Sequence, residues 1–447
     1  MSGRLSEAAP PAVVSPEGAA GGGLDLARAR ELFEKKITRQ LVTYFHACAH
    51  CGLCNDTCHY YLATGDPRMV PAYKADRFRR VYKRYHDWLG RLAPRWVGAE
   101  ELSEAVLLDL ADNVFGACTM CRRCTVNCPM GVDMGLLARA ARGMLDTLGL
   151  TPKGLKATVD VHLRTRNNMG ISEEDFADTI EWLGEQLQDE VGDSRARIPL
   201  NKKGARMLYT LNPREPKYFP LTILAAAKIM YAAGEDWTLS TNYWDVTNYA
   251  LFSGNDEAAR TIAGWLRDEA VNLGVQEVVM AECGHGYRSF RWEGPNWLRG
   301  SYPFRVRGFV ELMAGYVRDG RIRLDPARNG KPVTYHDPCN QARSGGVIQE
   351  PRYILHRAVA DFREMNPHGA QNFCCGGGGG MLSMTEFAER RIRAGKVKAD
   401  QIRATGAEVV ATSCHNCLDQ ITELNKHYKL GVRICNLCEV VAEALVL

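Results

Sequence analysis

The stretch Cys374-Cys375-Gly376-Gly377-Gly378-Gly379-Gly380 decides what the C-terminal part of this 447-residue chain is built to hold. Adjacent cysteines cannot easily chelate one small ion together, because neighbouring side chains diverge along an extended backbone. They can ligate two different irons of one larger cluster. A glycine run after such a pair allows close backbone approach and positive φ around a cluster; it can equally form a flexible loop facing a substrate. Working outward, His336-Asp337-Pro338-Cys339 lies upstream and Cys414-His415-Asn416-Cys417 downstream. The group points to redox chemistry at a metal–sulfur centre.

Two further cysteine runs lie nearer the N-terminus. Cys48-x2-Cys51-x2-Cys54-x3-Cys58 and Cys118-x2-Cys121-x2-Cys124-x3-Cys128-Pro129 both have the bacterial ferredoxin spacing. In that spacing three close cysteines take three corners of a [4Fe–4S] cube and the fourth serves the other cluster. The expected ligand sets are therefore Cys48, Cys51, Cys54 and Cys128 for cluster I, and Cys118, Cys121, Cys124 and Cys58 for cluster II. A zinc site would not need four cysteines in each run. Zinc does fit one other spacing, Cys414-x2-Cys417-x17-Cys435-x2-Cys438, but that reading leaves Cys339 and the Cys374-Cys375 pair unused. Cys435 and Cys438 read more simply as buried thiols near the last helix. Cys283 reads either as a buried remnant or as a thiol facing the third centre.

Sixteen cysteines grouped by twos and threes argue for metal ligation in a reducing compartment over a disulfide framework. A net charge of +4 gives no nucleic-acid signal. Basic residues cluster once, from Arg77 to Tyr85, as a solvated helix face or as a docking face for an acidic partner or a membrane surface. The apolar stretch Tyr218–Ala233 carries Lys228 and is too short to span a bilayer, so a buried helix is expected. No Cys-x-x-Cys-His suggests covalent haem c, and no Gly-x-Gly-x-x-Gly suggests a flavin or nicotinamide fold.

Residues 1–24 read as a disordered Ala/Pro/Gly tail. Residues 25–47 read as a helix, and a helical stripe after Pro129 closes at Gly149 and Pro152; the expected unit is a helical ferredoxin domain over 25–152. Residues 153–203 read as a helical connector, with a helix start at Ser172-Glu173-Glu174-Asp175. From about 204 short apolar runs alternate with helices, which predicts parallel α/β units: strands near 205–210, 237–239, 275–280, 332–335, 372–373 and 408–412, and helices over 256–273, 350–362 and 384–405. Glu277–Gly286 lies over Glu408–Cys417, matching Cys283 to Cys414 and Gly286 to Cys417; Ser240-Thr241 stand where Cys374-Cys375 stand. The fold class is thus α plus α/β: the helical domain, then two pseudo-symmetric halves, 204–330 stripped of most ligands and 331–447 complete.

With these residues in hand, the chain resembles the heterodisulfide-reductase-related, CCG-domain iron–sulfur subunits. It is most similar in detail to the DsrK-type subunit of the sulfite-reductase-linked membrane redox complex. The stretches that carry the resemblance are Gly65-Asp66-Pro67, Asp236-Trp237-Thr238-Leu239-Ser240, Glu282-Cys283-Gly284-His285, His336-Asp337-Pro338-Cys339-Asn340 and Cys374–Gly380, and it covers about residues 30–445. The parent family has two complete cysteine domains, each with a noncubane [4Fe–4S] centre; this chain keeps one. The resemblance implies that Cys339, Cys374, Cys375, Cys414 and Cys417 hold that centre, with Gly376, Gly377 and Gly378 around it. It implies an oxidoreductase acting on a disulfide or trisulfide of a small cysteine-bearing carrier protein. Electrons would be exchanged with quinone through a membrane cytochrome b-type subunit, on the cytoplasmic face of the inner membrane. A cluster that takes substrate sulfur as a ligand lets a two-electron cleavage proceed without a free thiyl radical. His285, His336 and His415 are candidate donors to the leaving thiolate. The alternative is an electron relay between a flavin dehydrogenase and quinone.

Overall fold

The computed structural model describes residues 24–447; the tail expected over 1–24 lies outside them except for Leu24. The N-terminal part is helical. Residues 25–47 form two helices, Leu26–Lys36 and Arg39–Ala47, because the Thr38 hydroxyl accepts from the Leu41 amide and starts a second helix after extended Ile37. Phe33, Phe45 and Phe78 meet edge to face at 5.1 and 5.7 Å and form the core under the first cysteine run. Glu104–Gly116, capped by Ser103, leads into the second run. Met134–Thr147 leaves it, with the Asp133 carboxylate accepting from the amides of Gly135 and Leu136. The connector holds Lys153–Thr165 and Glu173–Val191; the second starts at Ser172, whose hydroxyl accepts from the Asp175 amide at 3.0 Å.

Beyond residue 204 lie two parallel sheets. The first has strands β1 (Met207–Tyr209), β2 (Trp237–Thr238), β3 (Glu277–Met280) and β4 (Arg305–Gly308), in the order β2-β1-β3-β4. After β5 (Arg323–Leu324), the second is built from β6 (Val333–His336), β7 (Val409–Thr412) and β8 (Arg433–Asn436), in the order β6-β7-β8. A parallel bridge from Val333 to Phe362 lies beside β6. β9 (Leu445–Val446) pairs antiparallel with β5 and ties the C-terminus back. Helices Pro220–Ala232 and Leu437–Ala444 pack on each other between the sheets, so the long apolar stretch is a buried helix. Among the described residues no helix is long and apolar enough to cross a membrane.

Three local expectations changed. Asn372-Phe373 is not a strand: the edge position goes to Phe362, and Asn372 turns its side chain inward to His336. The helix expected over 350–362 ends at Ala358. The helix expected over 384–405 is two, Ala388–Ala394 and Lys396–Thr405, parted at Gly395, where a Cβ would lie 2.4 Å from Leu424. Strands β4 and β8 were not legible. In β4 the alternating arginines disguise the strand: Arg307 pairs with Glu277 of β3 at 2.7 Å, which satisfies its charge across the sheet.

Candidate metal centres

Each cysteine run contributes to a cavity. One, with about 360 Å³ of empty space, is lined by Cys48, Cys51, Cys54 and Cys128. Another, of about 610 Å³, is lined by Cys58, Cys118, Cys121 and Cys124. The geometry thus groups three close cysteines of one run with the last cysteine of the other, twice. The larger cavity also has Lys74, buried, donating to the carbonyls of Met69 and Ala117. His59 Nε2, Tyr60 Oη and Thr119 Oγ1 on its wall are buried and lack a hydrogen-bond partner. Buried donors are rarely left so; an anionic, sulfide-bearing group among four cysteines would accept from them, so the residues fit such a group.

The five cysteines of the C-terminal group converge at the carboxyl ends of β6 and β7, where open α/β sheets place their ligands. Cys339 follows β6 and Cys414 follows β7, with Cys417 one turn into the helix His415–Tyr428. Cys375 and Cys417 sulfurs lie 3.4 Å apart. The Cys374 thiol interacts with those of Cys121, Cys339 and Cys375, and that of Cys417 with Cys375 and Cys414. This sharing pushes Cys375 well below the ordinary thiol range, through Cys374 and Cys417, and lowers Cys414 through Cys417. The same sharing pushes Cys339 well up through Cys374, and Cys417 well up through Cys375 and Cys414; five sulfurs clustered this closely are the donor set a soft metal centre needs. Cys121 belongs to the second cavity and Cys374 to this knot, so the two sites touch.

The glycine run is explained by close approach. The amides of Gly376 and Gly377 donate to Cys374 and Cys375 sulfur, each at 3.4 Å. Gly379 has φ +66°, and a Cβ there would sit 2.7 Å from the Thr119 backbone, between Cys118 and Cys121. Gly378 lines the cavity of about 280 Å³ beside Cys339, Cys375, Cys414 and Cys417. Arg142, wholly buried, ties the parts together: it donates to the carbonyls of Val114, Cys118, Phe252 and Gly379. Arg343 donates to the Cys121 carbonyl at 2.6 Å and also to those of Ala370 and Asn372.

The three candidate histidines separate. His336 lies within 4.8 Å of Cys375 and Cys417, and its Nε2 has no partner. His285 lines the cavity from the first half and its Nδ1 is 3.4 Å from Cys283 sulfur. His415 turns away to Glu215, 3.3 Å off, and to Asn436. Burial pushes His336 well down and His285 to about 3, so both are neutral imidazoles, where the sequence suggested groups that titrate near neutrality.

The group that sequence reasoning missed is Lys398. Its ammonium is fully buried and donates to Asn372 Oδ1 at 2.6 Å and Gln401 Oε1 at 2.5 Å; Asn372 Nδ2 in turn lies 3.3 Å from His336 Nδ1. With its oxygen held by the lysine, the amide presents N–H to Nδ1, which leaves the imidazole proton on Nε2, toward the cysteines. The second lysine of Arg-Ala-Gly-Lys-Val-Lys carries no signal in one dimension. Burial lowers it to about 7, against the pull of charge at Cys375, Asp337, Cys374 and Cys417. Asp337 itself is held by Arg352 through both carboxylate oxygens at 2.9 Å, fixing the turn that carries Cys339.

Cys283, Cys435 and Cys438 are not in the lining of the cavity beside the five-cysteine knot. Cys435 and Cys438 are buried, in β8 and the helix after it. Cys283 is buried and accepts from Asn212 Nδ2 at 3.4 Å. Ser240 donates to Glu269 at 2.7 Å. All five converged cysteines are buried, Cys339 being the most accessible at 8%; Pro338, Asn340, Gly284 and His285 line the cavity beside them.

The fold and these centres define an iron–sulfur oxidoreductase. Residues 44–132 match the family described as "4Fe-4S dicluster domain" and residues 333–422 the family described as "Cysteine-rich domain" (CCG). The chain is 30% identical to the "Hdr-like menaquinol oxidoreductase iron-sulfur subunit 2" of Archaeoglobus fulgidus, over 92% of this chain and 81% of that protein. It is 26% identical to a component of the "Dihydromethanophenazine:CoB--CoM heterodisulfide reductase" of Methanosarcina barkeri, over 92% of this chain and 96% of that one. Against the "EtfAB:quinone oxidoreductase" of Syntrophomonas wolfei it is 24% identical, over 84% of this chain and 54% of that protein. The chain belongs to the family of heterodisulfide-reductase-like iron–sulfur subunits.

Proposed function

We propose that this protein is the iron–sulfur subunit of a quinone-linked membrane complex and exchanges electrons with a disulfide or trisulfide of a small sulfur-carrier protein. Two cubane [4Fe–4S] clusters would sit on Cys48, Cys51, Cys54 and Cys128 and on Cys118, Cys121, Cys124 and Cys58. A noncubane cluster would sit on Cys339, Cys374, Cys375, Cys414 and Cys417. The observation that carries the reading is the contact of Cys121 with Cys374, which supports a continuous electron path from the helical domain into the five-cysteine knot. Reducing a disulfide takes two electrons and two protons and yields two thiols; the noncubane group, when bound, supplies a site where sulfur can be held between the electrons. The chain's part is to position and to hydrogen-bond the leaving thiolate, the protons coming from solvent. His336 presents an N–H at Nε2, Lys398 fixes it through Asn372, and His285 presents a neutral imidazole from the lining of the adjoining cavity.

The same reading takes 25–152 as the ferredoxin domain, 153–203 as a connector, 204–330 as a half that lost its ligands and 331–447 as the complete half. The like order of the sheets and the placement of Cys283 and Cys414 just after β3 and β7 support a pseudo-two-fold. A membrane cytochrome b-type subunit would hold the protein at the cytoplasmic face of the inner membrane.

The burial of all five cysteines favours a second reading, an electron relay between a flavin dehydrogenase and quinone, of the kind the Syntrophomonas relative's name describes. Cys375→Ser separates the two. Under the first reading the variant's cubanes still reduce but disulfide-dependent oxidation of the reduced protein stops. If the variant hands electrons to a disulfide at the parent rate, the third centre is not where sulfur reacts and the relay stands.

A further inference from the structure

The basic run that the sequence marked divides in two. Its inner members are neutralised: Arg77 pairs with Glu100 and Asp109, Arg79 with Asp76, and Arg80 with Asp76 and Glu100. Its outer members and their neighbours are not. Lys83, Arg84, Arg91 and Arg95 have no carboxylate partner among the described residues; Lys83 donates to the Val97 carbonyl and Arg91 to that of Tyr85. Among these free cations stand three large apolar side chains, Trp88, Leu92 and Trp96, 67, 77 and 83% exposed. They lie on two short consecutive helices, Trp88–Leu92 and Pro94–Val97, at a spacing of four.

This segment is held rigidly outward. Asp87 caps the first short helix through the Leu89 amide. Gly90 packs so tightly on the end of helix Pro71–His86 that a Cβ would lie 2.1 Å from the Lys83 carbonyl. The Lys83 and Arg91 bonds clamp both short helices to the same helix end. Two indoles and a leucine fixed in water are costly unless something covers them.

We infer that Trp88, Leu92 and Trp96, ringed by Lys83, Arg84, Arg91 and Arg95, dock directly on an anionic lipid bilayer surface. Indole rings prefer the bilayer interface, where an apolar body meets a polar edge, and unpaired lysine and arginine beside them match anionic headgroups. The apolar groups project as separate tips with cations between them, which suits a fluid interface. The inference does not depend on which sulfur compound, if any, reacts at the five-cysteine knot.

The test is flotation of the full chain with vesicles of phosphatidylcholine alone and of phosphatidylcholine doped with phosphatidylglycerol. The parent should partition onto the anionic vesicles and far less onto the neutral ones. Arg84→Gln with Arg95→Gln should weaken that partition about five-fold for each arginine removed. Trp88→Ser with Trp96→Ser should weaken it on the order of ten-fold or more on anionic vesicles. Trp88, Arg95 and Trp96 are exposed and Arg84 is half-buried, and an unchanged iron content verifies that the variants fold. The unsubstituted chain gives a second readout: brominated lipids in the anionic vesicles should quench its tryptophan emission. Absence of quenching, or parent-level flotation of the Trp88→Ser/Trp96→Ser variant, overturns the inference. So does a parent that ignores vesicles but loses a membrane-protein partner on the same substitution, because a polypeptide then covers the patch.

Discussion

Arg142→Met would cut a side chain that joins the helical domain, the first sheet region and the glycine run. Arg142 makes five hydrogen bonds to four carbonyl oxygens, those of Val114, Cys118, Phe252 and Gly379, at 2.6 to 2.9 Å. Each buried acceptor stripped of its donor costs about 1–3 kcal/mol, so the four together cost roughly 8 kcal/mol at the middle of that range. Against this stands relief from burying a charge. Burial pushes the guanidinium from 12.5 down to about 10, which corresponds to about 3 kcal/mol. Methionine refills most of the apolar stem, leaving a net loss of about 4–5 kcal/mol. Arg142→Lys should recover only part, since an ammonium cannot fork to carbonyls on opposite sides. The assay is anaerobic urea unfolding of the cluster-loaded protein, read by circular dichroism and by cluster absorbance. Because the Cys118 and Gly379 carbonyls share this guanidinium, both signals should fall together in the parent and separate in the variant. A midpoint change worth less than about 1 kcal/mol, with the two signals still coincident, would refute the reasoning that Arg142 couples the domains.

Anaerobically reconstituted protein should bind about twelve irons, four for each of three clusters; Cys51→Ser or Cys121→Ser should remove one cubane signal and lower iron toward about eight, and zinc without iron or sulfide would sink the assignment. Lys398, with its folded value lowered from 10.5 to about 7, is neutral when folded and charged when unfolded between those values. The unfolded chain then binds more protons, and stability rises with pH across that window by up to about 1.4 kcal/mol per pH unit. Lys398→Met should flatten that rise between pH 7 and 10 in urea titrations; an identical slope in both proteins would rule out the burial argument. Gly379→Ala should weaken binding of the third cluster while sparing the run at Cys48, because its Cβ meets the Thr119 backbone at 2.7 Å; iron counting and electron paramagnetic resonance report it.

Ligand chemistry is local in sequence, so spacing alone led to two ferredoxin runs, and adjacency alone led from Cys374-Cys375 to a multi-iron centre. Periodicity separated the helical part from the α/β part, and the long helices at Asp256–Leu273 and Glu173–Val191 lay where their caps and apolar stripes put them. What spacing could not carry is anything made by atoms far apart in the chain. Lys398 becomes part of the site only because Asn372 comes to lie between it and His336. The glycine run had two open readings until Thr119 was seen packed against Gly379. Arg77 and Lys83 look alike in a string of basic residues, yet Glu100 and Asp109, more than twenty residues on, neutralise the first and leave the second free beside Trp88 and Trp96. Covalent spacing determines which atoms can bind a metal together, whereas burial and long-range pairing, which set the dielectric and the partners, decide which charges and protons remain available to do work.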